Sequence, residues 1–211
     1  MSHSENLYKP MLMEIQKVIP ETPDVRTFEL VFKDSADRDA FRFRAGQFAE
    51  YSAFGLGEST FCIASSPTRM DHIECCFRKT GRVTSELFRL NEGDTIGLRG
   101  PYGNSFPIED CFGKNLYFVA GGIALPPLRT LIWNCLDWRD KFGEITIVYG
   151  ARTVSDLVYK RELDEWQKRS DIKLVKTVDP GGQTPDWDGS VGFVPTVLKE
   201  VGPSPSNSVA F

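Results

Sequence analysis

From Met11 to about Phe106 the apolar residues fall in short, roughly alternating runs broken by Gly, Pro, Asn and Asp. The runs Leu12–Val18, Val25–Phe32, Gln47–Ala53, Phe61–Ala64, His72–Phe77 and Thr95–Arg99 predict β-strands. Branched and aromatic residues bounded by turn formers favour an extended backbone. Many short strands without long helices point to a small antiparallel barrel or sandwich. A single helix is predicted here, Thr84–Leu90, entered after Gly81 and stopped at Asn91-Glu92-Gly93-Asp94.

From about Asn115 the pattern changes to strand followed by helix. It predicts strand Leu116–Ala120, helix Pro126–Trp138, strand Ile145–Tyr149, helix Ser155–Arg169, strand Lys173–Val178, helix Val194–Val201 and a closing strand Ser208–Phe211. Alternation of this kind implies a parallel sheet covered on both faces. The junction near Pro107–Lys114 then separates two domains, residues 10–108 and 109–211, behind a tail of residues 1–9. Pro203-Ser204-Pro205-Ser206 reads as a stiff polar loop leading into the last strand.

Three segments carry chemistry. In Leu116–Leu128 an apolar strand runs into Gly121-Gly122-Ile123-Ala124 and then a helix start. Glycines there let the backbone approach a bulky anion, and a helix N-terminus favours phosphate. A tight strand-to-helix connection explains the same pattern. In Arg78-Lys79-Thr80-Gly81-Arg82-Val83-Thr84-Ser85, cations, a glycine turn and hydroxyls meet at a helix start. Amides at Val83, Thr84 and Ser85 with the Thr84 and Ser85 hydroxyls suit a pyrophosphate balanced by Arg78, while plain N-capping is the alternative. In Ser59–Pro67, Phe61 followed by Cys62, Ile63 and Ala64 suits a flat ring system whose edge meets backbone N–H groups. An ordinary barrel strand is the competing reading.

Composition narrows the classes. The 211 residues suffice for two modest cores, and a net charge of -4 without a basic block gives no footprint for nucleic acid or an anionic membrane. The five cysteines Cys62, Cys75, Cys76, Cys111 and Cys135 contain no Cys-x-x-Cys pair and follow no secretory signal, so reduced thiols in a cytoplasmic protein are expected. No zinc or iron–sulfur site is legible. His3 and His72 are the only histidines, and His3 lies in a polar tail expected to be disordered. No apolar run is long enough to span a bilayer, so no membrane insertion is expected.

Two phosphate-suited helix starts, one per domain, make a combined pattern. With Arg44-Ala45-Gly46-Gln47-Phe48, Gly55-Leu56-Gly57-Glu58, Gly100-Pro101-Tyr102-Gly103 and Tyr149-Gly150-Ala151-Arg152, the chain resembles the ferredoxin–NADP reductase superfamily over Tyr8–Phe211. It is most similar to electron-transfer subunits of cytoplasmic hydrogenases, sulfhydrogenases and heterodisulfide-reductase-associated complexes, with the dihydroorotate dehydrogenase subunits as relatives. The resemblance implies an FAD-binding antiparallel barrel followed by an NAD(P)-binding α/β domain. The family's flavin strand, Arg-x-Tyr-Ser, falls on Ser59-Thr60-Phe61-Cys62, so Ser59 replaces a pyrophosphate-binding arginine and Cys62 takes the place of a hydroxyl near the flavin's reactive edge. Its Gly-Gly-x-Gly-x-x-Pro turn falls on Gly121-Gly122-Ile123-Ala124-Leu125-Pro126-Pro127, with Ala124 as the third glycine.

By the same resemblance, Arg152 and Asp156 occupy the region that reads the adenosine ribose. Asp156 accepts from the ribose hydroxyls and repels a 2′-phosphate whereas Arg152 attracts one, so the two argue in opposite directions, and the place of Asp156 favours NAD(H) over NADP(H); its alternative is to cap the following helix together with Ser155. Asp179 is expected at the carboxyl edge of the sheet, as a pocket residue or a plain turn residue. The family's last strand continues into Cys-Gly-Pro and, in hydrogenase-type members, a [2Fe-2S] segment. This chain stops at Phe211, so the second domain reads as incomplete and the cluster ligands are absent from it. The implied function is an FAD-dependent oxidoreductase subunit moving electrons between NAD(P)H and an iron–sulfur partner in a larger complex. The alternative is a non-catalytic flavin- or nucleotide-binding regulatory or scaffold subunit.

Overall fold

A computed structural model describes residue 6 and residues 8–211; His3 and the rest of the expected tail before Asn6 lie outside the described residues. The chain forms two compact units, one comprising the residues up to Pro20 with Asp24–Phe106, the other Glu21–Pro23 with Pro107–Phe211.

The first unit carries β1 (Met11–Thr22), β2 (Val25–Phe32), α1 (Ser35–Ala40), β3 (Phe48–Ala53), β4 (Gly57–Cys62), β5 (Ile73–Arg78), α2 (Arg82–Leu87) and β6 (Thr95–Tyr102). Its six strands pair in the order β4-β3-β6-β1-β2-β5. The two edges are stitched just beyond β4: Ala64 N–H donates to the Glu74 carbonyl at 2.8 Å, and Glu74 N–H donates to Ser65 Oγ at 3.1 Å. Those bonds bend the sheet toward a barrel and satisfy groups that an edge would leave open. Inside, Met13, Ile15, Phe28, Leu30, Tyr51, Ile63 and Phe77 are buried, each worth about 1.5–3 kcal/mol relative to exposure.

Among the described residues this unit has two α-helices where the sequence predicts one. Helix α1 buries no residue, so it carries no apolar period to read; Asp34 starts it by accepting from Ala36 N–H at 2.8 Å. Helix α2 begins two residues before the predicted Thr84. The Thr84 hydroxyl accepts from Gly81 N–H at 2.7 Å and Thr80 N–H at 2.9 Å, which makes Gly81 the cap.

The second unit carries β7 (Asn115–Gly121), α3 (Leu125–Asp137), β8 (Ile145–Ala151), α4 (Lys160–Gln167), β9 (Lys173–Val178), β10 (Ser190–Val191), α5 (Val194–Val201) and β11 (Ser208–Ala210). Its strands are parallel, in the order β10-β9-β8-β7-β11. All seven residues of β8 are buried, as expected of a central parallel strand covered on both faces. The chain proceeds from β7 to β10 in one direction and then returns to place β11 on the other side of β7. Reversal of strand order at β7 makes its carboxyl end a topological switch point, where open α/β sheets bind ligands.

The predicted helix Ser155–Arg169 is corrected: Val154–Asp156 forms a 3-10 turn and α4 begins only at Lys160. Leu157, Val158 and Tyr159 are all buried, and three consecutive residues cannot face one side of an α-helix. Tyr159 resolves the conflict in the left-handed region at φ 54°. Strand β10, two residues long, was absent from the sequence-based assignment because it is too short for alternation to show. Among the described residues no helix is long and apolar enough to cross a membrane.

Candidate functional site

In the second unit, β7 ends on Gly121, Gly122 enters the left-handed region at φ 55°, and Gly122–Ala124 forms a 3-10 turn leading into α3. A side chain built at Gly121 or Gly122 would meet no atom within 4 Å. Packing therefore does not require these glycines, and the volume over the end of β7 is open. Ala124 sits at φ -80°, which any residue adopts, so the departure from glycine there costs no strain.

The helix itself offers fewer donors than the sequence suggested. Pro126 and Pro127 have no N–H, and the Leu125 N–H donates to the Gly122 carbonyl. The i→i+3 pattern of the 3-10 turn places the Ala124 N–H on the Gly121 carbonyl, so the expected Ala124 amide donor is corrected, and the Ile123 amide, ahead of those bonds, is the one suited to an anion.

The loops after β8 and β9 are tied together at the same carboxyl edge. Asp179 N–H donates to the Ala151 carbonyl at 3.1 Å, Gly182 N–H to the Asp179 carbonyl at 2.8 Å, and Val154 N–H to the Gly182 carbonyl at 3.1 Å. A side chain at Gly182 would overlap the carbonyl of Arg152. Asp156 accepts from the Thr153 hydroxyl at 2.9 Å and lies 3.7 Å from Arg152 Nε. The Arg152 side chain is 76% exposed, so this pair is weak and leaves the guanidinium mobile. Helix α4 starts four residues beyond Asp156, so Asp156 and Ser155 do not cap it; that alternative is removed.

Thus Gly121, Gly122, Ile123, Ala124, Arg152, Asp156 and Asp179 all stand on one edge of one sheet. Sequence reasoning missed Tyr149 and Gly182 there. Tyr149 is buried, and its hydroxyl donates to the Gly122 carbonyl at 3.1 Å while accepting from Val158 N–H at 3.1 Å. The only sequence signal was its place in Tyr149-Gly150-Ala151-Arg152.

In the first unit, Phe61 pairs across from Ala49 and Ser59 from Tyr51, so both share the core-facing side of β4, and Cys62 lies on the opposite side. The Phe61 ring packs 5.8 Å from Tyr51 and 5.7 Å from Phe77, with part of its surface still exposed. Ile63 N–H donates to the Gln47 carbonyl at 3.1 Å and Ala64 N–H to Glu74. The expectation that these amides meet a ring edge is corrected, because the barrel uses them itself.

At the start of α2, the Thr84 hydroxyl is likewise spent: it is buried, accepts from Thr80 and Gly81 and donates to the Gly81 carbonyl at 3.1 Å. The groups left facing outward are the exposed Thr80, Gly81 and Arg82 and the half-buried Val83 and Ser85. The Ser85 N–H donates to the Gly81 carbonyl at 2.9 Å, so the expected Ser85 amide donor is corrected; of the expected amides, that of Val83 sits in the first turn, where a helix supplies no upstream carbonyl. Arg78 Nε stands 3.2 Å from Asp24. Arg99, the other arginine on this sheet near β4, is not a substitute for the missing one at Ser59. It grips Glu58 at two points, 2.9 and 2.6 Å, and that grip holds the Glu58 carboxyl below the usual carboxylate range.

Two of the family-type motifs prove to be joints of the barrel. Gln47 Nε2 donates to the Gly103 carbonyl at 3.1 Å, and a side chain at Gly103, φ 77°, would strike the Phe48 ring at 2.6 Å. One further group, unforeseen from sequence, comes from register: Glu29 of β2 and Glu74 of β5 face each other, and with His72 they bring ligand atoms within 4.8 Å. Lys17 Nζ lies 3.6 Å from Glu29 and His72 Nε2 lies 3.2 Å from Glu74, so this group pairs within the protein.

The comparisons agree with this geometry. Residues 118–209 match the family model described as the oxidoreductase NAD-binding domain. The chain is 34% identical over 208 residues to sulfhydrogenase 1 subunit gamma of Pyrococcus furiosus, covering 99% of this chain and 71% of that protein. It is 33% identical over 193 residues to a probable dihydroorotate dehydrogenase B electron transfer subunit of Methanocaldococcus jannaschii, covering 92% and 64%. Among solved structures, a ferredoxin NADP+ reductase from Neisseria gonorrhoeae with bound FAD and NADP shares the fold at a TM-score of 0.76 and 19% identity, covering 96% of this chain and 84% of that one. A two-unit architecture and similarity along nearly the whole chain together show that it belongs to the ferredoxin–NADP reductase superfamily, in the branch of the sulfhydrogenase gamma subunits and their dihydroorotate dehydrogenase relatives.

Proposed function

We propose that this chain is an electron-transfer flavoprotein subunit that takes electrons from NADH and delivers them to an iron–sulfur partner protein in a larger complex. The observation that carries the reading is the open Gly121–Gly122 turn at the switch point of a sheet matched by an NAD-binding family model. Ile123 offers its amide to a pyrophosphate, Asp156 accepts from ribose hydroxyls, and Asp179 borders the same edge. Asp156, already fixed by Thr153, repels a 2′-phosphate, and this supports NADH over NADPH.

The first unit fits FAD in its remaining free groups. The Val83 amide and the Ser85 hydroxyl at the head of α2, with Arg78, would hold the pyrophosphate; the exposed part of Phe61 would lie along the ring system, and Cys62 would stand at its edge. Bound there, FAD supplies hydride acceptance and electron release, while the chain supplies position and orientation. Partner subunits are inferred from the relatives, which are named as subunits. A cytoplasmic location agrees with five cysteines that form no disulfide. The regulatory or scaffold reading draws on one observation, the two amide donors removed by Pro126 and Pro127.

The test is the visible spectrum of the purified full chain, as isolated and after incubation with FAD, with the released cofactor identified. The expected result is a flavin spectrum and stoichiometric FAD. A colourless protein that takes up no FAD contradicts the reading of the first unit.

A further inference from the structure

Tyr149 is fully buried, yet its hydroxyl reaches two separate loops of the ligand edge, donating to the Gly122 carbonyl and accepting from Val158 N–H, each at 3.1 Å. The first bond orients a peptide. In a trans peptide unit the carbonyl and the following N–H point in opposite directions. With the Gly122 carbonyl drawn inward to Tyr149, the N–H of Ile123 is turned outward, toward the open volume over Gly121 and Gly122. The same carbonyl accepts from Leu125 N–H within the 3-10 turn; glycine resists rotation of its flanking peptides less than any other residue, and the buried Tyr149 hydroxyl adds a second tie from outside the turn.

The second bond fixes the other loop. Val158 comes two residues after Asp156, between the 3-10 turn Val154–Asp156 and the left-handed Tyr159. A segment without regular structure satisfies few of its own amides; here the buried hydroxyl takes the Val158 amide and anchors the run that carries Asp156.

We infer that Tyr149 is a positioning residue for the dinucleotide. One hydroxyl sets both the phosphate-facing amide of Ile123 and the ribose-facing carboxylate of Asp156, so the two ends of the adenosine diphosphate moiety are recognised as a unit. The inference rests on the dinucleotide reading proposed above and adds to it the residue that couples its parts.

The test uses the full FAD-loaded chain and its Tyr149→Phe variant, which keeps the ring and removes only the hydroxyl. ADP-ribose is the probe because it carries the pyrophosphate and the adenosine ribose but no nicotinamide, so its binding is independent of electron transfer. In the variant, ADP-ribose binds about tenfold more weakly by calorimetry, the loss expected for a buried hydrogen-bonding group. The KM for NADH rises in parallel while kcat stays within roughly twofold, the pattern of lost uniform binding. A general loosening of the fold would instead lower the active fraction and leave KM in place.

Wild-type binding of ADP-ribose that Tyr149→Phe leaves within twofold overturns the role of Tyr149 alone. Wild-type protein that binds neither ADP-ribose nor NADH contradicts the dinucleotide reading and this inference with it. Should the variant not fold, amide exchange on the wild type decides: ADP-ribose is expected to protect 121–125 and 156–159 together, and protection confined to one of the two overturns the coupling.

Discussion

Cys62 is the one cysteine with partial exposure; Cys75, Cys76, Cys111 and Cys135 are buried. Burial pushes the Cys75 thiol well up, raises Cys111 and lifts Cys135 to about 12. Thiolate is the reactive form, so these three stay protonated and inert near neutral pH. Brief iodoacetamide treatment of the native chain is expected to modify Cys62 first, and bound FAD to slow that reaction, as read by peptide mass spectrometry. Modification of Cys75 at a comparable rate contradicts the packing of the barrel, and of Cys135 that of α3. At this scale the sequence exposed what a residue type alone can announce. Paired glycines at the end of an apolar strand are visible in one dimension. The role of Tyr149 is not, because it depends on which two loops its hydroxyl reaches. The engagement of the Ile63 and Ala64 amides was equally hidden, since their acceptors are 16 and 10 residues away.

Helices α3 and α4 are joined by a buried network. Arg129 donates to both oxygens of Glu162 at 2.6 and 2.7 Å, and Trp133 Nε1 donates to the same carboxylate at 2.8 Å. The Arg129 guanidinium also stands 4.5 Å from the centre of the Tyr159 ring, the left-handed residue that begins α4. Both ionic side chains are 7% exposed. Removing one partner leaves a buried charge, which costs about 3–5 kcal/mol. Glu162→Ala is therefore expected to lose that much stability in urea, with Glu162→Gln losing less because it still accepts a hydrogen bond. A loss below about 1 kcal/mol, the range of surface pairs, contradicts the burial of this pair. The elements themselves were legible where periodicity lasted: α3 and β8 are long apolar segments, and their ends fall close to the predicted ones. Helix α1, with no buried face, and α4, shortened by the three buried residues before it, were not. In both cases tertiary burial set the outcome, which a local pattern does not record.

The whole molecule joins a six-stranded antiparallel sheet, stitched edge to edge beyond β4, to a five-stranded parallel sheet whose order reverses at β7. The change of pattern near Asn115 announced both classes from the sequence. Strand order was out of reach, because pairings such as β1 with β6 join segments more than 80 residues apart. With it went the switch point, the feature that turns the Gly121–Gly122 turn from a connection into a ligand edge. Register also placed Glu29 opposite Glu74, which spacing along the chain does not suggest. In the proposed function, nucleotide held at this edge delivers electrons to FAD held by the first unit. Anaerobic titration of the FAD-loaded full chain with NADH, and separately with NADPH, tests it most directly. Loss of the flavin's visible absorbance is expected with NADH, at lower concentration than with NADPH. Binding of NADH that leaves the absorbance intact contradicts it and makes the chain a nucleotide-binding scaffold instead.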